Sequence, residues 1–148
     1  MLSDTLTSLF KRDLEKLKKE VSLYNNEEDL WLVKNDVSNS AGNLCLHLVG
    51  NLNHFIGSVI GNTGYVRQRD LEFSQKNIAI QELTDQVDQT IEMIETVLKG
   101  MEDSELKKNY PIEVFRKPMT TEYFLVHLST HLSYHLGQIN YHRRLLNQ

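Results

Sequence analysis

The chain has 148 residues, a formal net charge of −4, 40% hydrophobic residues and 24% charged residues. This is the composition of an ordinary globular protein, and the length suits one domain spanning residues 1–148. The mild acidity argues against nucleic-acid binding, and no apolar run approaches the roughly 20 residues needed to cross a bilayer. The single cysteine, Cys45, excludes an internal disulfide, and the N-terminal segment lacks the pattern of a signal peptide. We therefore expect a cytoplasmic protein that does not bind membranes.

Apolar residues at three- and four-residue spacing predict a first helix from about Leu2 to Tyr24. A second helix is predicted after residues 38–40, because these short polar side chains can cap its free amide groups. It runs to about Ile60, before the break at residues 61–64. Its apolar residues are nearly continuous, so we expect it to be the most buried helix.

The segment from Tyr65 to Asn77 is charged and has no helical periodicity, so it is predicted to be irregular. A third helix is predicted from Ile80 to Lys99. Gly100 directly after it is a common way for a helix to end.

The stretch from Met101 to Met119 contains both prolines and is predicted to be a loop, with extended pieces around residues 112–115. A fourth helix begins at Thr120 or Thr121 and runs to about Leu146. Four long helices predict an all-α fold, a four-helix bundle with long connections.

The histidines carry the chemical signal. Six occur in the chain, and His127, His131 and His135 follow one another at four-residue spacing on the fourth helix, so that neighbours share a face. Two histidines four residues apart can bind one metal ion, but a tight site needs a further ligand from another helix. The spacing alone leaves open whether the pair is His127 and His131 or His131 and His135.

The second helix offers His47 and His54, which lie seven residues apart on one face with Asn51 between them. Spacing does not choose between these two histidines either. Each of these histidines also has a purely structural interpretation, as a core side chain hydrogen-bonded to a neighbour. The chain has no Cys-x-x-Cys, no HExxH and no glutamate three residues before a histidine, which excludes zinc-finger, zincin and ferritin-like di-iron sites.

Residues 131–139, HLSYHLGQI, resemble the fourth-helix signature of the DinB/YfiT-like superfamily, whose members are four-helix bundles that hold one divalent metal ion with three histidines. Residues 46–52, LHLVGNL, resemble the position of the remaining ligand. Residues 67–73, RQRDLEF, resemble a loop of one largely uncharacterised branch related to bacillithiol transferases. The resemblance extends from about Ser38 to the C-terminus.

The resemblance implies a metal site made by His47, His131 and His135, because the family pair directly precedes the Gly-Gln and the helix-two ligand precedes the Gly-Asn. Zinc and nickel are the first candidates for the metal, with iron, manganese and copper as alternatives. Residues that we expect around the metal, as partners of its ligands or as pocket lining, are Asn51, His54, His127, Gln138, Arg67 and Arg69.

Five further residues have specific expectations. Gly137 is expected to allow close helix approach, and Gln138 to hydrogen-bond across the bundle. His142 is expected to be solvated near the C-terminus, and Cys45 to be a buried thiol. Glu72 is expected either at the mouth of the site with the two loop arginines or in an internal salt bridge.

Three functions remain open at this point. The resemblance implies a metal-dependent thiol S-transferase, in which the metal activates a low-molecular-weight thiol for attack on an electrophile, and it implies a homodimer. The alternatives are a metal-dependent hydrolase that activates water and a non-catalytic, stress-linked protein that binds a metal or a partner.

Overall fold

The computed structural model describes residues 1–147, and its helices form an all-α bundle as the sequence predicts. Among these residues no strand is present, and the only β-type pairing is an isolated bridge between Asn109 and Thr120. The helices, in chain order, are α1 (Leu2–Ser22), α2 (Ala41–Leu52), α3 (Arg69–Ser74), α4 (Ile80–Leu98), α5 (Asp103–Leu106) and α6 (Thr121–Leu146). A short 3-10 helix also lies at Glu27–Trp31.

The long helices α1 and α4 pack along each other, and α6 packs against α1 and α2. Helices α1 and α4 turn their apolar stripes inwards, because burying these side chains removes apolar surface from water. The inward-facing residues of α1 are Leu6, Phe10, Leu14, Leu17 and Val21, and those of α4 are Leu83, Val87, Ile91, Ile94 and Leu98.

Helix α2 lies at the centre of the bundle, and each of its twelve residues is buried. The nearly continuous apolar run predicted this burial. The Ser40 side chain caps the helix by accepting a hydrogen bond from the amide of Asn43. The helix then widens into a π-helical segment, Asn53–Ser58, before the glycine-containing break.

The prediction of an irregular segment from Tyr65 to Asn77 is wrong in its middle, where α3 forms. No side chain caps this helix. Tertiary contacts hold it instead, because the Asn43 side chain on α2 donates to the carbonyl oxygens of Glu72 and Gln75, each at 2.9 Å. Neighbouring residues in the sequence do not encode such contacts.

The loop predicted between α4 and α6 also contains a short helix, α5. Its first turn is closed locally, because the Glu105 side chain accepts a hydrogen bond from the Glu102 amide at 3.0 Å. The extended pieces predicted around residues 112–115 are not present, and this part of the chain bends instead. The loop after α5 is tied at its base by two backbone hydrogen bonds, Tyr110 to Met119 and Thr121 to Lys108.

The buried apolar side chains of the long helices belong to one hydrophobic cluster. The assignment of residues 1–148 to one domain stays a prediction, and Gln148 lies outside the described residues. Within residues 1–147, no helix has the length and apolar character needed to span a membrane.

Candidate metal centre

The bundle brings together three histidines from two helices. His47 lies in the middle of α2, whereas His131 and His135 lie one turn apart on α6. The Nε2 atom of His131 lies 3.3 Å from Nε2 of His47 and 3.1 Å from Nε2 of His135. One nitrogen from each of the three rings lies within 4.8 Å of the others. We call these three residues the histidine cluster.

The protonated nitrogen of His47 can be assigned from its neighbours. Its Nδ1 atom lies 3.0 Å from Oε1 of Glu72 and 3.4 Å from Nη2 of Arg67. An ionised carboxylate can only accept a hydrogen bond, and Glu72 makes the shorter contact, so Nδ1 of His47 carries the proton and donates a hydrogen bond to Glu72. The Nε2 atom of His47 therefore presents a lone pair to the cluster.

The tautomer of His135 follows from the same logic, whereas His131 differs. Nδ1 of His135 lies 2.7 Å from the side-chain oxygen of Gln138 and donates a hydrogen bond to it, which leaves a lone pair on Nε2. A proton on Nε2 of His131 can serve only one of its two neighbours. Nδ1 of His131 is buried and has no hydrogen-bond partner among residues 1–147. A bound cation would accept a lone pair from each of the three Nε2 atoms, whereas one proton on Nε2 of His131 leaves one of its neighbours unsatisfied.

Burial and the charges of neighbouring groups favour the neutral forms of His131 and His135. Burial is the largest cause that lowers the pKa of His131 to about 4, and the neighbouring His135 and His47 add to it. Burial also lowers the pKa of His135, although the hydrogen bond to Gln138 opposes this shift. The neutral form is the one that binds a metal ion. Nitrogens that share one zinc ion lie roughly 3–3.5 Å apart, given Zn–N bonds of about 2.0–2.1 Å. The two Nε2–Nε2 distances at His131, 3.3 and 3.1 Å, fit a divalent metal.

Glu72 connects His47 to an arginine. Nε and Nη2 of Arg67 donate to the two carboxylate oxygens of Glu72 at 2.8 and 2.9 Å, and Glu72 is only 6% exposed. Burial by itself raises the pKa of the Glu72 carboxyl, but the hydrogen bonds from His47 and Arg67 outweigh it, and the pKa lies below its ordinary value. Glu72 is therefore ionised at neutral pH and holds the ring of His47.

Gly50 provides the space that Glu72 occupies against α2. A Cβ atom at Gly50 would lie 1.9 Å from Oε2 of Glu72, far inside any normal contact. The glycine therefore lets the carboxylate reach the helix one turn from His47. Together with the bonds from Asn43 to the α3 backbone, it fixes Glu72 against α2.

Two cavities border the histidine cluster. The first, which we call the aromatic cavity, has a volume of about 280 Å³ and reaches His47 and His131. The second, which we call the tyrosine cavity, has a volume of about 500 Å³ and reaches His135 and Gln138. Its walls include Tyr134, Tyr141, Val37 and Leu44.

A family model for a protein of unknown function, DUF1572, matches residues 4–148, which is nearly the whole chain. The chain belongs to the DUF1572 family. DUF1572 is a DinB/YfiT-like family, so the resemblance noted in the sequence is confirmed at that level. The finer relation to bacillithiol transferases stays a prediction. No curated protein matches the chain.

In this DUF1572 protein, the three residues predicted as ligands are the three that come together, and their role as ligands is a proposal. Of the residues expected around them, Asn51, His127, Arg67 and Arg69 line the aromatic cavity. His54 does not belong to the histidine cluster or to the lining of either cavity.

Three residues differ from their expected roles. Gln138 does not reach across the bundle but bonds to His135 on its own helix. Gly137 makes no close helix approach, because a Cβ atom there would have no neighbour within 4 Å. His142 is not simply solvated, since its Nε2 donates to the carbonyl oxygen of Leu32 at 2.9 Å and its Nδ1 accepts from the Tyr24 hydroxyl.

Sequence reasoning missed Glu72 as the partner of His47, although an internal salt bridge was one of the two expectations for it. No spacing rule connects a residue on α2 with one 25 positions later.

The expectation for Cys45 is confirmed, because the thiol is fully buried and burial raises its pKa to about 12. Such a thiol is a core side chain, not a nucleophile.

Proposed function

We propose that this protein is a divalent-metal-dependent transferase that joins a low-molecular-weight thiol to a small electrophile. The observation that carries the proposal is the pair of cavities on one histidine cluster. A transfer between two organic molecules needs a place for each, whereas hydrolysis needs a place for only one. The DinB/YfiT-like superfamily, which the sequence resembles, includes bacillithiol transferases and mycothiol-dependent isomerases. This resemblance also favours a transferase over a hydrolase.

In this proposal His47, His131 and His135 hold the metal, with zinc or nickel as the first candidates. Three protein ligands leave a coordination position for a substrate. When bound, the metal supplies positive charge that lowers the pKa of a coordinated thiol, so that the thiol is ionised at neutral pH. Glu72 and Gln138 hold the rings of His47 and His135 by accepting hydrogen bonds from their Nδ1–H groups.

The overall reaction is a substitution at the electrophile. The thiol loses its proton to solvent, and the sulfur forms a new bond to the electrophilic carbon. The leaving group departs with the electron pair of the broken bond. We assign the electrophile to the aromatic cavity, whose walls are mostly rings, and the thiol to the larger tyrosine cavity beside His135.

The contacts of Glu72 argue against the hydrolase alternative. A hydrolase of this kind usually uses a carboxylate to take a proton from water. Both oxygens of Glu72 already accept hydrogen bonds, and in the described part of the chain the histidine cluster contains no acidic residue. The homodimer that the resemblance implies stays a prediction.

Metal content tests the assignment of the three histidines as metal ligands. We expect one metal ion per chain in tag-free wild type by elemental analysis, and none in the His47→Ala/His131→Ala/His135→Ala variant. The matched control is His54→Ala/His127→Ala, which removes histidines from the π-helical segment after α2 and from α6 but leaves the cluster. Circular dichroism checks that every variant is still helical. Full metal content in the triple variant contradicts the ligand assignment.

Enzymatic turnover tests the proposed thiol transferase activity. Metal-loaded wild type is incubated with cysteine or glutathione and 1-chloro-2,4-dinitrobenzene, and thioether formation is followed by absorbance. We expect a rate above the uncatalysed reaction that disappears in the triple variant and on omission of the thiol. A metal-loaded protein without thiol-dependent turnover, tested over a panel of thiols and electrophiles, favours the non-catalytic alternative.

A further inference from the structure

We propose that the aromatic cavity binds a small, flat aromatic carboxylate. This inference names the class of the electrophilic substrate and in that sense rests on the proposed function. The binding of such a molecule is a property of the cavity alone, however, and can be measured without any turnover.

The walls of the cavity are suited to a flat ring. Phe55 and Phe124 meet edge to face, with centroids 5.0 Å apart and planes at 88°. The His127 ring lies parallel to Phe124, with an angle of 9° between the planes. Phe115 packs edge-on against His127 with centroids 4.8 Å apart. These rings line the cavity, and a further aromatic ring packs well against other rings, edge to face or offset-stacked.

The loop before α6 places Phe115 at this cavity, and it is anchored there. The Tyr110 hydroxyl donates to the carbonyl oxygen of Phe55 at 2.6 Å. At the base of the loop, the Tyr110 amide donates to Met119 and the Thr121 amide to Lys108, both at 2.8 Å. These three bonds hold the loop from both ends, so Phe115 forms a wall of the cavity although 40% of it is exposed.

The charges along the cavity favour an anion. Arg67 and Arg69 both line it, and none of its lining residues is acidic. Arg67 is neutralised by its two hydrogen bonds to Glu72. Arg69 makes no ion pair or hydrogen bond within residues 1–147, and its guanidinium lies 5.2 Å from the ring centroid of Phe73. Arg69 is thus the cation of this cavity that is available to a ligand, and a carboxylate matches its paired donors.

The size of the cavity limits the ligand. A volume of about 280 Å³ lies just below the usual range for small-molecule sites, which is roughly 300–1,000 Å³. One ring or two fused rings bearing a carboxylate suit such a space. Phe73 also packs on His47, with ring centroids 5.0 Å apart, so a carboxylate bound to Arg69 lies near the histidine cluster.

The test uses 2-naphthoate and its neutral analogue 2-naphthamide, titrated calorimetrically into the full-length chain. Chelator-treated protein is used first, so that no metal can bind the carboxylate, and metal-loaded protein second. In wild type we expect naphthoate to bind roughly tenfold more tightly than naphthamide, as expected for one charge-assisted contact. Arg69→Gln should abolish this difference. Phe115→Ala should weaken both ligands, because it removes a wall.

The matched control is Arg144→Gln. Arg144 is another arginine that stacks on an aromatic ring, 5.4 Å from the centroid of Tyr141, but it does not line the aromatic cavity. This variant should bind both ligands as wild type does. Equal affinity for naphthoate and naphthamide in wild type, or loss of the difference in Arg144→Gln instead of Arg69→Gln, overturns the inference. If naphthoate binds as expected but the metal-loaded protein forms no thioether, the proposed function fails and the cavity assignment stands.

Discussion

At the scale of single residues, Glu72 determines how the ring of His47 is held. It accepts one hydrogen bond from Nδ1 of His47 and two from Arg67, and it lies in a space that only a glycine at position 50 leaves open. Metal-binding histidines commonly donate their second nitrogen to a carboxylate, which fixes the tautomer and makes the ring a better ligand. The same role follows here for Glu72.

The substitution Glu72→Gln should weaken metal binding by about 10- to 100-fold, the usual effect of losing such a partner. The amide fills the same space but carries no charge and leaves Arg67 unpaired. Metal affinity is measured by competition with a chromogenic chelator. The control is Asp70→Asn, which makes the same change on an exposed residue of α3. Equal affinities in Glu72→Gln and wild type would show that Glu72 only stabilises the fold.

At the scale of secondary-structure elements, α2 and α3 act as one unit. Helix α2 is buried along its whole length, and α3 is a short helix with no cap of its own that α2 holds through Asn43 and Gly50. A helix of this length is unstable in isolation, so α3 forms only because the packing against α2 supplies its stability. The partner of His47 is therefore supplied by an element that depends on tertiary contacts.

Two of the helical glycines, Gly50 and Gly137, should respond oppositely to alanine. Gly50→Ala should destabilise the protein by about 1–3 kcal/mol, because its methyl group overlaps the Glu72 carboxylate. Gly137→Ala should stabilise it by about 0.5–1 kcal/mol, because the methyl group meets open space and alanine favours the helix. Urea denaturation measures both values. A neutral effect of Gly50→Ala would contradict the close approach of α3.

At the scale of the whole molecule, the metal is not needed to build the core. The apolar side chains of α1, α2, α4 and α6 form a single buried cluster, and the histidines lie beside it. A chain of this length buries enough surface to fold without a cofactor. The buried ionisable groups at the site instead make the stability of the metal-free protein depend on pH.

Metal-free protein should become less stable as the pH falls from about 6.5 towards 4. The unfolded chain takes up a proton on His131 near its ordinary pKa of 6.5, whereas the folded protein resists this until the pH approaches the folded pKa of about 4. Glu72, whose pKa is lowered, contributes stability that is lost below its ordinary pKa of 4.5. The denaturation midpoint of the metal-free protein should therefore be lower at pH 4.5 than at pH 7.

The variant His131→Gln should reduce this difference between the two pH values, because it removes one of the groups that the unfolded chain protonates preferentially. The control His127→Gln removes a histidine of the same helix that is not part of the histidine cluster. An unchanged pH dependence in His131→Gln would mean that His131 is protonated equally in the folded and unfolded states.

The sequence by itself determined the four long helices and their order. The spacing of apolar residues, the cap at Ser40 and the stop at Gly100 are local signals. The structure has helices at all four predicted places. The pairing of histidines four residues apart on one face is also local, because the helix pitch fixes it. The choice of His47 over His54, and of His131 with His135 over His127, came from the family resemblance and not from spacing.

Only the tertiary structure decided what surrounds the histidines. The contacts of Glu72 with His47, Arg67 and Gly50 join α2 to a later segment of the chain, and no fixed spacing marks them in advance. The two cavities likewise arise where loops and helices distant in sequence meet. Local periodicity specifies helices because each turn involves neighbouring residues. A site is specified by packing between elements, and its chemistry becomes visible only once they are assembled.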